Sequence, residues 1–206
     1  MKHITRFEAT KELQKMIGSD LRKLANKHRI TVFKEGKFNK GWAGLTLEKE
    51  LGIGNNCMPA SNGDFWELKL VPLINKNGKW KVKETMAITM INPDEVVATP
   101  FENSHLFNKM RKMIICGRER LDSSESSSKL LYVNSFDLLS TNYWRQIKED
   151  YEATRKAIKE QGFLSLSGSM GKLIQPRTKG TGHGSTSRAF YARIPFVELI
   201  LGIKEQ

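Results

Sequence analysis

The run Asp64-Phe65-Trp66-Glu67-Leu68-Lys69 brings two carboxylates and an ammonium together. In an extended strand successive side chains point to opposite faces. Glu67 and Lys69 therefore share one face, and Leu68 and Leu70 turn the other way into a core. Asp64, at the strand entry, can turn its carboxylate toward the same spot. Phosphodiester hydrolysis needs such a set. Magnesium takes hard oxygen ligands and keeps several waters. Asp64 and Glu67 can hold it against a phosphate oxygen, where it stabilises charge and activates a water. Lys69 can orient that water or neutralise the transition state. Taken alone, an exposed Glu–Lys pair on a strand is the simpler explanation of the same residues.

The rest of the chain favours the phosphate. It holds 34 Lys+Arg against 22 Asp+Glu, a formal charge of +12. That field attracts polyanions such as DNA, RNA or an anionic membrane surface. From Gln161 to Val197 there is no Asp or Glu, while Lys172, Arg177, Lys179, Arg188 and Arg193 all occur. Within that stretch, Gly180-Thr181-Gly182-His183-Gly184-Ser185 is rich in hydrogen-bond donors that suit phosphates and base edges. A third carboxylate, Glu48, stands in Trp42-Ala43-Gly44-Leu45-Thr46-Leu47-Glu48, where small residues suit close helix packing. The bland alternative for Glu48 is a solvated helix residue beside Lys49 and Glu50.

The elements that position these residues can be read from periodicity. Glu8 to His28 shows one helical face through Leu13, Met16, Ile17, Leu21 and Leu24. Phe33 to Gly41 reads as a connection, and Trp42 to Leu51 as a helix closed by Gly52. Gly54 to Asp64 is a loop. Strands are expected over Phe65–Ile74 and Trp80–Ile91, joined at Asn77-Gly78, the strongest short hairpin signal. Ser104 to Ile115 reads as helix running into strand, Asp122 to Ser128 as a mobile Ser-rich surface loop, and Leu130 to Val133 as a strand. Thr141 to Gln161 is a long helix stopped by Gly162. Phe163 to Leu201 reads as strands and loops, with a late strand over Ala189–Ile194. The sum is an α/β fold, a mixed sheet flanked by helices.

These residues resemble the MutH family of PD-(D/E)XK endonucleases, which holds the mismatch-repair nicking enzyme and related GATC-cutting restriction enzymes. The resemblance is carried in order by Lys40-Gly41-Trp42-Ala43-Gly44, Leu47-Glu48, Leu51-Gly52, Asp64-Phe65, Glu67-Leu68-Lys69, Val71-Pro72, Gly78 and Glu84-Thr85. It continues through Ser104-His105 with Lys109, Gln175-Pro176-Arg177-Thr178-Lys179 and Arg188-Ala189-Phe190-Tyr191. It implies a restriction-endonuclease-like fold of one domain, 1–206. A catalytic lobe over about 1–120 and a DNA-reading lobe over about 121–206 would flank a DNA cleft. It implies catalytic roles for Glu48, Asp64, Glu67, Lys69 and Lys109, with Glu48, Asp64 and Glu67 on Mg2+, for which Mn2+ can substitute. DNA contacts are expected at Arg177, Lys179, His183, Ser185, Arg188, Tyr191 and Arg193, with Tyr191 a candidate sensor of adenine methylation. Only two residues separate Asp64 from Glu67, a tighter turn than the family has.

The implied activity is sequence-specific cleavage of double-stranded DNA, nicking one strand as a monomer, with dimers on DNA for double-strand cuts. The biological role would be restriction, attack on foreign DNA, or mismatch repair with a MutL-type recruiting partner. The strong positive charge favours a free-standing nuclease. Two rivals stand: a catalytically silent DNA-binding module that keeps the nuclease fold, and a basic RNA-binding protein. The intact carboxylate–lysine set weighs against the first, and the lack of an RNP-like aromatic strand against the second. Cys57 and Cys116 have no zinc or disulfide spacing. The polar start of the chain shows no apolar leader, and a cytoplasmic location with no membrane segment is expected.

Overall fold

The computed structural model describes residues 4–53, 65–121, 124–180 and 186–203. In chain order the elements are α1 (Arg6–Lys15), α2 (Leu21–Lys27), β1 (Phe33–Lys34), β2 (Lys37–Phe38), α3 (Trp42–Leu51), β3 (Glu67–Lys76), β4 (Lys79–Val82) and β5 (Met86–Met90). They continue with α4 (Pro93–Ala98), α5 (His105–Met110), β6 (Lys112–Glu119), β7 (Leu130–Asp137), α6 (Tyr143–Gln161), β8 (Ile174–Thr178), β9 (Arg188–Ala192) and α7 (Ile194–Leu201). The fold is α/β, as the sequence predicts. No helix among the described residues is long and apolar enough to cross a membrane.

The chain forms two compact units that interleave along the sequence. The first takes residues 1–84, 113–136 and 198–206, the second 85–112 and 137–197. The first unit is built on a sheet of order β4-β3-β6-β7. Strands β3 and β6 run parallel, from Glu67 opposite Met113 to Leu73 opposite Glu119. The core of this unit gathers Leu13, Leu21, Trp42, Leu47, Ile114 and Leu130, with Leu68 and Leu70 packed against it. Those two leucines share the β3 face that packs on this core, while Val71 and Leu73, on the other face, are buried too.

The second unit carries a sheet of order β5-β9-β8, antiparallel throughout. Helix α6 covers it through Tyr151, whose ring lies 5.8 Å from Phe190 and 5.7 Å from Phe101. Asp150, beside Tyr151 on α6, is buried. Its carboxylate accepts backbone N–H groups from Lys172 at 2.8 Å, Leu173 at 2.8 Å and Ile174 at 3.0 Å. The Gln146 amide donates to it as well, at 3.1 Å. One buried carboxylate thus fixes the entry of β8. Removing it leaves several buried donors without a partner, each a sizeable penalty. Asp150→Ala is expected to lower unfolding free energy by about 3 kcal/mol in urea titration. A loss under about 1 kcal/mol would contradict this account of the turn.

The structure corrects several sequence expectations. The helix expected over Glu8–His28 is two helices. Gly18 turns the chain at φ 88° and its N–H bonds to Leu130 O at 2.8 Å. Asp20 then caps α2 by accepting from Arg22 N at 2.9 Å. Ile17 falls in the break and is exposed. The Phe33–Gly41 connection contains the small hairpin β1–β2, with Phe33 opposite Phe38.

The strand expected over Trp80–Ile91 is also two strands, β4 and β5, in different sheets. Pro72 accepts the Lys83 N–H at 3.0 Å but has no N–H to return, so the ladder stops there. The expected late strand Ala189–Ile194 is the shorter β9, followed by α7. That helix has Pro195 in its first turn, and Phe196, Val197, Ile200 and Leu201 are buried. In the Ser-rich segment Asp122–Ser128, residues 122 and 123 lie outside the described residues. Glu125 and Ser128 are buried, which is contrary to a mobile surface loop.

Candidate active site

Strand β3 begins at Glu67, and its alternation sets Glu67 and Lys69 side by side on the face away from Leu68 and Leu70. The Lys69 ammonium lies 2.9 Å from the Glu67 carboxylate, and the two side chains are 20% and 14% exposed. This is a partly sheltered charged pair, unlike the freely solvated Glu–Lys pair that was the simple alternative. Trp66, between Asp64 and Glu67 in sequence, is a core residue. It is buried, and its indole N–H donates to Ile4 O at 3.2 Å.

Helix α3 brings the second carboxylate. Its helical run is anchored by the fully buried Trp42 and by Leu47 and Leu51. Gly52 ends it in the left-handed conformation, φ 72°, with its N–H turned back to Glu48 O and Lys49 O. Glu48, half-buried, stands close enough to Glu67 and Lys69 to feel both charges. Close packing at Gly44 is not what positions this helix, because a Cβ there would meet nothing within 4 Å.

Burial first, and the Glu67 carboxylate second, push the Glu48 carboxyl above its ordinary value, while the Lys69 ammonium pulls it down. A carboxyl raised by folding keeps its proton longer in the folded chain than in the unfolded one. Stability of the metal-free protein therefore falls as pH rises from the ordinary glutamate value through the raised one. Below that window the loss vanishes. Replacing Glu48 by neutral Gln removes the term. In EDTA at neutral pH, Glu48→Gln is expected to melt above wild type, with the difference closing as pH falls below the ordinary glutamate range. A variant that melts lower than wild type at neutral pH would show that the two carboxylates do not repel.

Two neighbouring, partly buried carboxylates form a hard-oxygen donor set of the kind divalent cations such as Mg2+ take. Among the described residues no group of three His, Cys, Asp or Glu side chains gathers for a metal. The expected third ligand, Asp64, lies outside the described residues, as do the expected DNA contacts His183 and Ser185. Lys109 sits half-buried in the last turn of α5, in the second unit. His105, at the start of α5, is largely exposed and 3.3 Å from Glu95.

Other expected DNA contacts lie on β8 and β9 of the second unit. Arg177 is exposed, stacks its guanidinium 5.6 Å from the Tyr191 ring centre, and donates to Thr85 Oγ1 at 2.8 Å. Lys179 is exposed and Arg188 half-buried. Arg193 differs. Its guanidinium donates to three carbonyls, Gly168 at 3.0 Å, Met170 at 2.9 Å and Gly171 at 3.0 Å, so it holds the turn before β8.

A family model described as DNA mismatch repair enzyme MutH matches residues 59–150, a segment that contains Glu67, Lys69 and Lys109. The match extends further in whole proteins. A DNA mismatch repair protein MutH from Shewanella woodyi is 28% identical over 209 residues, covering 90% of this chain and 86% of its own. Its counterpart from Vibrio cholerae is 26% identical over 195 residues, covering 91% of this chain and 85% of its own. The chain is thus similar to MutH proteins along about nine-tenths of its length. A third MutH, from Pasteurella multocida, is 24% identical over 193 residues, covering 89% of this chain and 82% of its own. Glu48 and the β8–β9 residues fall outside the family-model segment. The restriction-endonuclease-like fold class goes with that likeness and agrees with the mixed sheet around β3.

Proposed function

We propose that this MutH-like chain is a Mg2+-dependent endonuclease that hydrolyses a phosphodiester bond at a specific sequence in double-stranded DNA. The observation that carries the reading is the Glu48–Glu67–Lys69 set: two neighbouring, partly buried carboxylates, one of them 2.9 Å from a sheltered ammonium. Glu48 and Glu67, with Asp64, would hold the cation. When bound, Mg2+ supplies charge stabilisation at the phosphate and a more acidic water.

The chain's own groups do the rest. Lys69 presents N–H donors beside Glu67, where it can orient a water for attack and offset charge on the phosphate oxygens. Glu67 fixes the direction of that ammonium. The Glu48 carboxyl, held above its usual value without a cation, is relieved when positive charge enters, so cation entry and proton loss are linked. Lys109 would add a phosphate contact.

Arg177, Lys179, Arg188 and Tyr191 would meet DNA, with Arg177 pre-set by the Tyr191 ring and Thr85. Arg193 is better assigned to supporting the turn before β8 than to touching DNA. One such site per chain suits nicking of one strand by a monomer. The role would be in restriction, attack on foreign DNA, or mismatch repair with a MutL-type partner, and the place of action cytoplasmic.

The test is incubation of purified wild-type protein with supercoiled plasmid, in Mg2+ and in EDTA. Open circles or discrete linear fragments that form only with the metal are expected. Protein that binds the plasmid yet leaves it closed with Mg2+ and with Mn2+ would favour the silent DNA-binding module instead.

A further inference from the structure

The β3–β4 hairpin outruns the sheet that carries it. The last pair between β3 and β6 is Leu73 with Glu119, whereas β3 and β4 continue to Lys76 opposite Lys79. The segment from Ile74 to Lys81 is therefore a two-stranded ribbon, closed by Asn77 and Gly78 at φ 53° and 79°. Its charge is concentrated. Lys79 faces Lys76 and Lys81 faces Ile74, so both lysines share the face of even-numbered β3 residues. Lys83, whose N–H bonds to Pro72 O, continues the alternation.

Lys76, Lys79 and Lys81 thus line one face of the ribbon, and Lys83 continues that face at its base. Lys76, Lys79 and Lys83 are exposed and Lys81 half-buried. That face is the one bearing Leu68 and Leu70, opposite to Glu67 and Lys69. None of the four ammoniums forms an ion pair among the described residues.

Two explanations compete. Strand β4 is the outer strand of its sheet, and lysines there deter edge-to-edge association. That accounts for Lys79, Lys81 and Lys83. It leaves Lys76 unexplained, which lies on β3 directly across from Lys79, where like charges destabilise a strand pair. A polyanion relieves that repulsion. Alternate strand residues recur about every 7 Å, and phosphates of one DNA strand about every 3.4 Å along the axis, so successive lysines can meet every second phosphate. Lysine is a point charge without base-reading geometry, and the tip amide of Asn75 is taken up by Gly78 N at 2.9 Å.

We propose that the Ile74–Lys81 ribbon, with Lys83 at its base, is a second DNA-contacting surface, which tracks the phosphate backbone without reading sequence and lies on the sheet face away from the cleavage site. The proposal rests on the nuclease reading only in taking duplex DNA as the polyanion. The test is binding of a fluorescently labelled duplex of arbitrary sequence in EDTA, across a salt series. Each phosphate contact contributes about 0.9 to the log–log salt slope. The triple variant Lys79→Gln/Lys81→Gln/Lys83→Gln should bind more weakly at low salt, with a slope shallower by about 2–3. Lys76→Gln alone should lower it by about 1. A charge-matched control, Lys15→Gln/Lys156→Gln/Lys159→Gln, should keep the wild-type slope.

Equal slopes for the ribbon and control variants would overturn the proposal. So would a ribbon variant that self-associates in light scattering but binds DNA like wild type, which is the edge-protection result. Cleavage plays no part in the readout. A ribbon-dependent slope in a protein that never cuts DNA would leave the ribbon standing and sink the nuclease.

Discussion

Lys69→Ala is expected to slow DNA cleavage by about a thousandfold while leaving DNA affinity within a few fold of wild type. The residue is sheltered, with its ammonium held 2.9 Å from Glu67, so it contributes little to the general positive field that attracts DNA. Its contribution lies where charge develops during reaction, and a group of that kind affects the rate of the bound complex more than binding. Removing the ammonium also takes away a charge that offsets the effect of Glu67 on Glu48. Lys69→Arg keeps the charge but spreads it over a planar fork, and should restore only a small part of the rate. The measurement is single-turnover plasmid opening at saturating protein, beside a binding titration. A variant that lost affinity and rate in parallel would place Lys69 in binding.

Glu125→Ala is expected to destabilise the fold by about 3–5 kcal/mol, because it strands a buried charge. Arg118 and Glu125 are 4% and 2% exposed. They meet through two contacts, at 2.5 Å and 3.0 Å. Arg118 also donates to Ser128 Oγ at 3.0 Å, and that hydroxyl donates to Glu119 O at 2.6 Å. On its other side the guanidinium lies 5.1 Å from the ring centre of Trp42, the first residue of α3. The pair thus ties the end of β6 to the helix that bears Glu48.

Glu125 adopts φ 52°, a conformation that costs a non-glycine residue energy and persists only where contacts hold it. Ala keeps that strain and loses the contacts. The double variant Arg118→Met/Glu125→Leu removes both charges and should recover much of the loss in urea titration. A single variant as stable as wild type would show that the pair is not what fixes this segment.

Much of strand β3 was legible in the sequence. Alternation alone separates Glu67 and Lys69 from Leu68 and Leu70, and Asn77-Gly78 supplies the positive φ values a tight hairpin needs. Trp42–Leu51 and the C-terminal stop at Gly162 were legible because glycine caps leave strong local marks. What escaped was what depends on distant partners. The break at Gly18 is fixed by a bond to Leu130, far along the chain. The split of β4 from β5 follows from the missing N–H of Pro72 on the neighbouring strand. Nothing local in the sequence marks Asp150 or Glu125 as buried, and only the donors gathered around them explain their burial. At the site, helical periodicity placed Glu48 on a helix but could not bring it to Glu67. Arg193 joined the expected DNA contacts on charge alone, and the three carbonyls that hold it were invisible to composition.

The central claim is that Glu48 and Glu67 together form the hydrolytic site. The most direct test is the rate of supercoiled-plasmid opening in Mg2+, at saturating protein, for wild type, Glu48→Gln and Glu67→Gln. The account predicts opening by wild type and a loss of at least about a hundredfold in each variant, with DNA still bound. Plasmid opened by Glu67→Gln at the wild-type rate would contradict it.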